Sequence, residues 1–163
     1  MRDDDAFLEF VAARTQALRR TAYFMCGDWH HAKDAVQAAL IKLYQQPPRD
    51  WGAAEAWVRT VLVRTIISDS RRPWRRHERP SDDLPDKAAS TTPDQVGDRA
   101  LLLDALRRLP ARQRAVVVLR FWDQMSVAEV ARSLHLSEGT VKSHTSRGLK
   151  ALRIDLEHTH EPV

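Results

Sequence analysis

Residues Ser126–Leu152 read SVAEVARSLHLSEGTVKSHTSRGLKAL. Ser126-Val127-Ala128-Glu129 has the spacing of a capping box, in which the serine hydroxyl accepts from the backbone N–H of Glu129 and the Glu129 carboxylate accepts from that of Ser126. The helix opened in this way is short and ends near Leu134, with Val127, Val130, Ala131 and Leu134 facing inward. His135-Leu136 is the expected turn. Ser137 caps the next helix, and Glu138 stands in its first turn, where the helix dipole favours an anion. Val141, Leu149 and Leu152 are the expected inward face of this second helix, and Ala131 is small where the two helices should approach most closely. Two short helices joined by a tight turn make a helix-turn-helix, whose second helix enters the major groove of DNA. Lys142, Ser143, Ser146, Arg147 and Lys150 fall on the outward side and, with Ser137, are the candidate DNA contacts. Lys and Arg reach phosphates or guanine edges, and Ser donates or accepts. The plain alternative is a pair of ordinary surface helices.

Upstream of this motif the helical pattern starts at Arg99. Leu102, Ala105, Leu106 and Leu109 make one face, and Pro110 separates it from a second helix containing Val116, Val117, Leu119, Arg120 and Phe121. Residues 77–98, HERPSDDLPDKAASTTPDQVGD, hold three prolines and almost no apolar content, the composition of a flexible linker. The chain of 163 residues has only five glycines and is dominated by Ala, Leu, Arg and Val. That balance favours helices over a sheet. The expected fold is all-α: two small helical domains, 4–76 and 99–157, joined by the acidic linker 77–98.

The first half has three helical stretches. One runs from about Asp4 to Met25, with Phe7, Val11, Leu18, Ala22 and Met25 on its buried side, and breaks at Gly27-Asp28, because glycine accepts positive φ at least cost. A second runs from about His31 to Gln46, where Pro47-Pro48 ends it. Ala32, Ala35, Val36, Ala39, Leu40, Leu43 and Tyr44 form its continuous apolar face. Asp34, Gln37, Ala38, Ile41 and Gln45 share a different face, polar at its ends and apolar in the middle, which suits a docking surface for a partner. A stray exposed Ile is the other reading. A third helix runs from about Ala53 to Arg72, with Trp57, Val58, Val61, Leu62 and Thr65 as its core stripe and Arg64, Ser68, Arg71 and Arg72 along another side.

Charge is distributed unevenly along the chain, whose net charge is +4. Residues 51–79 hold seven Arg against three acids, residues 80–98 one Lys against five Asp, and residues 99–163 eleven basic against seven acidic residues. Basic surfaces flanking an acidic segment point to nucleic acid more strongly than the net charge does. The single cysteine, Cys26, excludes an internal disulfide and reads as a buried, inert thiol. The N-terminus MRDDDAFLEF lacks the apolar stretch of a secretory signal, and no apolar run is long enough to cross a bilayer. A cytoplasmic protein with no membrane contact of its own is expected. The chain has no phosphate-cradling glycine loop, no HExxH and no Cys/His set at zinc spacing. His30-His31 and His158-x-His160 read as exposed histidines. Asp82-Asp83 lie in the linker, where nothing would hold a catalytic geometry. Neither an enzyme, a cofactor nor a metal is expected.

Three groups of residues carry a resemblance. Leu109-Pro110-Ala111-Arg112-Gln113-Arg114, Val118-Leu119-Arg120-Phe121 and the stretch from Ser126 to Arg153 resemble region 4 of the sigma-70 family, extracytoplasmic-function (ECF) group. Gly27-Asp28, Asp34-Ala35-Val36-Gln37 and Ala56-Trp57-Val58-Arg59 resemble region 2. Together they span about Phe7 to Leu156 apart from the linker. The resemblance implies a bacterial transcription initiation factor that binds core RNA polymerase and directs it to promoters. It implies that the helix from Asp34 to Tyr44 docks on the β′ clamp helices. It assigns minus-ten reading to the loop Gln46 to Gly52 and the helix to Arg72, with one non-template base flipped into a pocket, and minus-thirty-five and β-flap binding to region 4. Trp51, Arg64, Ser68, Arg71 and Arg72 become the minus-ten candidates, with Trp51 and Trp74 as stacking surfaces and Trp57 as core. The linker passes through the polymerase channel, where its acids imitate a nucleic-acid strand. Factors of this group are often held by an anti-sigma protein, an arrangement the linker permits and no single residue here demands.

The chain departs from the family pattern at His135, commonly Gly, at His144-Thr145, often Arg-Leu, at Ala38, commonly Glu, and at Arg64, commonly Asn. These departures imply a subgroup with its own promoter. The rival reading is a LuxR-like regulator with a sensor or dimerisation domain in its first half. A helical adaptor without DNA binding fits the Arg-rich stretch from Arg64 to Arg76 poorly.

Overall fold

A computed structural model describes residues 3–71 and 93–160, which form two compact helical units. Seven α-helices and no strand occur among the described residues. The first unit holds α1 (Asp3–Cys26), α2 (Trp29–Gln45), a 3₁₀ turn (Trp51–Ala53) and α3 (Ala54–Asp69). Asp3, Asp4 and Asp5 occupy the first turn of α1, where they complement the helix dipole. Gly27 ends α1 at φ 72°, the left-handed conformation expected of it, and its N–H reaches the Tyr23 carbonyl at 2.8 Å. Asp28 then caps α2, accepting from the N–H of His30 at 2.9 Å and of His31 at 3.4 Å. The Cys26 thiol is half-buried and donates to the Asp28 carbonyl at 3.2 Å.

Leu18, Ala22 and Met25 of α1, Ala32, Ala35, Val36, Ala39 and Leu43 of α2, and Val58, Leu62, Val63 and Ile66 of α3 make the core of this unit. Three alanines on one side of α2 let its backbone approach its neighbours closely. His31 of α2 and Asp69 at the end of α3 clamp the far side of the bundle, Nε2 to Oδ2 at 3.0 Å. Trp57 is 37 % exposed and lies outside the core stripe in which it was expected. The stripe is centred on Val58, Leu62 and Ile66 instead, because α3 is apolar on several sides and periodicity alone does not fix its rotation. Tyr44 is also exposed, its ring meeting the edge of Phe7 at 5.1 Å.

The second unit holds α4 (Pro93–Arg108), α5 (Ala111–Val117), a π-helical stretch (Val118–Trp122), α6 (Val127–Leu134) and α7 (Glu138–His160). Helix α4 starts at Pro93, six residues before Arg99, where the helical pattern was expected to begin; proline suits a first helical position, since the N–H it lacks would have no partner there. Residues 77–92 of that linker, with Arg72, Trp74, Arg75 and Arg76, lie outside the described residues. Leu103 and Leu106 of α4 and Leu109 just past its end are buried, as are Val116, Val117, Leu119, Val130, Val141 and Leu152, and α7 packs against α4, α5 and α6. The π-helical stretch closes with Asp123 N–H on the Val118 carbonyl and Met125 N–H on the Leu119 carbonyl, and the Arg120 guanidinium donates to the Met125 carbonyl at 2.7 Å. Phe121 and Trp122 are left exposed on its outer side.

Candidate nucleic-acid interface

Local interactions set the geometry of α6 and α7. Both bonds of the capping box are present: Glu129 N–H donates to Ser126 Oγ at 3.1 Å, and Ser126 N–H to Glu129 Oε2 at 3.4 Å. Helix α6 ends at His135, which is left-handed at φ 54° and ψ 46°. The Leu136 N–H turns back to the Ala131 carbonyl at 2.9 Å. Ser137 opens α7, its Oγ accepting from the Thr140 N–H at 3.1 Å and sharing a hydroxyl bond with Thr140 at 2.8 Å. Val130 and Ala131 of α6 and Val141 of α7 are buried. The turn is thus fixed by three polar devices within twelve residues of sequence, and α7 is held at one angle to α6.

The side of α7 turned away from this packing carries Lys142, Ser143, Ser146, Arg147 and Lys150, all exposed. Spacings of one, four, five and eight residues place them on one helical face. Ser137 is exposed at the same end, with its oxygen committed to the cap. Leu149, expected inward, is 42 % exposed, and Gly148 takes the inward place. A side chain cannot fit there: a Cβ on Gly148 would lie 2.6 Å from Val117 Cγ2. A search for apolar residues overlooks a position whose role is to have no side chain.

His144 is half-buried on the flank of α7, and its Nδ1 is buried without a hydrogen-bond partner. Burial, then the charges of Arg147 and Arg112, hold its pKa below the ordinary 6.5. The ring is therefore neutral near pH 7 and adds no charge to the exposed basic face.

In the first unit, Asp34, Gln37, Ala38, Ile41 and Gln45 are all exposed along α2, with Ile41 at 50 %. Arg64 and Ser68 are exposed one turn apart on α3, and Arg71 is exposed just beyond its end. Arg72 lies outside the described residues. Trp51 is half-buried and leans on Phe10 of α1, ring centroids 6.2 Å apart. The Asp50 carboxylate fixes this turn by accepting from the Gly52 N–H at 2.9 Å. Sequence reasoning missed the contribution of α1 here, because Phe10 and Trp51 are distant in the chain.

Among the described residues no group of acids, histidines and cysteines could hold a metal ion, and no helix is long and apolar enough to cross a membrane.

Residues 10–76 match the family model "Sigma-70 region 2", and residues 99–152 match "Sigma-70, region 4". The chain is 40 % identical over 156 residues to the RNA polymerase sigma-E factor of Streptomyces avermitilis, covering 93 % of this chain and 85 % of that one. It is 37 % identical over 146 residues to the ECF RNA polymerase sigma factor SigL of Mycobacterium tuberculosis, covering 86 % and 82 %. Its fold is similar to that of the sigma factor RpoE from Bartonella quintana, solved in complex with the anti-sigma factor NepR, with a TM-score of 0.70, 23 % identity and coverage of 93 % and 96 %. The region 2 match fills the half of the chain that a LuxR-like regulator would give to a sensor or dimerisation domain. The chain belongs to the sigma-70 family of RNA polymerase sigma factors, in its extracytoplasmic-function group.

Proposed function

We propose that the chain grips a promoter at two points while bound to core RNA polymerase. In this reading residues 4–76 dock on the β′ clamp helices through Asp34, Gln37, Ala38, Ile41 and Gln45, and read the minus-ten element with Trp51, Arg64, Ser68, Arg71 and Arg72. Residues 99–157 read the minus-thirty-five element with Ser137, Lys142, Ser143, Ser146, Arg147 and Lys150, and meet the β-flap. The segment between them spans the polymerase channel. The factor acts without catalysis of its own, in the cytoplasm, where polymerase and promoter are.

One observation carries the reading of the second unit: an exposed Lys/Ser/Arg face on a helix whose angle is fixed by a capping box, a left-handed turn and a serine cap. The solved relative from Bartonella is bound to an anti-sigma factor. An inhibitor of that kind for this chain would have to cover the α2 face or the α7 face.

Two substitutions separate the functions. Arg147→Ala removes a charged contact worth about 1–3 kcal/mol and should weaken promoter binding while core binding stays unchanged. Ile41→Glu places an unpaired carboxylate in the core contact and should cost at least about 2 kcal/mol of core affinity. Equal loss of core and promoter binding by Arg147→Ala would refute the assignment of α7. Unchanged core affinity in Ile41→Glu would return the α2 face to solvent.

A further inference from the structure

The flank of α7 that faces α5 holds a group of basic side chains from two helices. His144 and Arg147 are three residues apart, so they share one side of α7. Arg112 joins them from the first turn of α5. The helices meet closely here: a Cβ on Gly148, one turn beyond His144, would lie 3.8 Å from the Gln113 carbonyl oxygen. Helices α4, α5 and α6 all pack on α7, and the charges that act on the His144 ring are those of Arg147 and Arg112, with no carboxylate among them. Arg112 and Arg147 are exposed and have no acid partner among the described residues. The Nδ1 of His144 is buried without a hydrogen-bond partner.

Three basic groups that converge without a counter-charge repel one another, and an anion placed among them would offset the repulsion. The rest of the face tells which anion. Arg147 also belongs to the exposed row of Lys142, Ser143, Ser146 and Lys150, so His144 and Arg112 stand at the edge of that row. A helix lying in the major groove meets base edges along its centre and backbone phosphates along its border. In the free chain burial, Arg147 and Arg112 all oppose the charged form of His144. A phosphate between the two guanidinium groups reverses the sign of the local field and favours the imidazolium.

We propose that Arg112, His144 and Arg147 form a clamp for one backbone phosphate beside the promoter-reading face of α7, and that His144 takes a proton from solvent as the clamp closes, so that promoter affinity rises as the pH falls. The proposal rests on the reading of α7 as the promoter helix. The sign follows from linkage: the DNA-bound chain holds more protons than the free chain between the lowered value of the free ring and the raised value of the bound one.

The test uses the full chain assembled with core polymerase on duplex promoter DNA. Between about pH 8 and about pH 6 binding should tighten by about fivefold, the effect of taking up most of one proton per complex. His144→Gln should abolish this slope. Arg112→Ala should weaken binding by the same factor on every DNA sequence and lower the salt dependence by about one released counterion. Phosphates bordering the minus-thirty-five element are also replaced one at a time by neutral methylphosphonates. At one position the pH dependence should vanish and Arg112→Ala should cost nothing further. The DNA replacement leaves the wild-type chain unaltered, so its effect on the pH dependence holds even if His144→Gln disturbs the fold. A pH slope that survives both His144→Gln and every methylphosphonate, or an Arg112→Ala variant with wild-type affinity and salt dependence, would refute the clamp and leave the sigma-factor reading standing. If the wild-type chain gives no core-dependent complex with promoter DNA, that reading and the clamp fall together.

Discussion

Replacing Gly148 by alanine adds one methyl group on the side of α7 that faces Val117 of α5. The added carbon would lie 2.6 Å from Val117 Cγ2, 3.8 Å from the Gln113 carbonyl oxygen and 3.9 Å from Leu109 Cδ1. Carbon atoms are comfortable at about 3.5–4.0 Å, so one neighbour must move by about 1 Å. Val117 is 5 % exposed. Its branched side chain has one strongly preferred rotamer in a helix and cannot swing aside. Overpacking of this kind costs about 1–3 kcal/mol, and alanine returns about 1 kcal/mol of helix propensity. The net expectation is a loss of about 1 kcal/mol.

Amide hydrogen exchange at Val116 to Leu119 in the full chain measures this loss, because core amides report the opening of their own unit. Adding Val117→Ala removes the clash and lets the new methyl fill the vacated space. The two changes should therefore couple favourably by about 1–2 kcal/mol. Promoter affinity should fall with Gly148→Ala as the angle of α7 changes, and core affinity should not. A variant stabilised by the full propensity gain would refute the close approach of α5 and α7 and, with it, the seating of α7 by glycine.

Two further outcomes follow from the same unit. His135 pays for a left-handed backbone that glycine adopts freely, so His135→Gly should stabilise the chain by about 0.5–1 kcal/mol after the entropy of the freer unfolded chain is subtracted; a lower melting temperature would mean that the imidazole makes a contact worth more than the strain. His144 has its pKa held below 6.5, first by burial and then by Arg147 and Arg112, so the unfolded chain binds more protons just below that pH. Its contribution to stability is complete above 6.5 and declines as the pH falls towards the lowered value. His144→Gln should flatten this part of the denaturation profile, and an unchanged slope would place the titrating group elsewhere.

Much of the second unit was legible because its determinants are local. Ser126 and Glu129, His135, and Ser137 act within a few residues of one another, so spacing alone locates the caps and the turn. The same holds for Gly27-Asp28 in the first unit. Rotation of a helix about its axis was legible only where polar and apolar sides contrast. The α2 face with Asp34 and Ile41 was found in this way, whereas α3 is apolar on several sides and Trp57 was assigned inward although it is exposed. Leu149 and Gly148 were exchanged for a related reason: pattern reading rewards apolar bulk, and tight helix packing can require its absence. The contact of Phe10 with Trp51 depends on a tertiary approach that no local pattern contains. Helix α4 began earlier than expected because the acidic, proline-containing composition of residues 93–98 hides a helix that proline can start.

In the proposed function the chain brings core polymerase to a promoter through two separate grips. Its most direct test is transcription in vitro from fragmented genomic DNA of the source organism with core polymerase and the purified chain, followed by sequencing of transcript 5′ ends. Start sites should appear only with the chain present, share one motif near minus ten and another near minus thirty-five, lose preference at the upstream motif with Arg147→Ala, and vanish with Ile41→Glu. Start sites that are the same with and without the chain, or the absence of any stable complex with core polymerase, would contradict it.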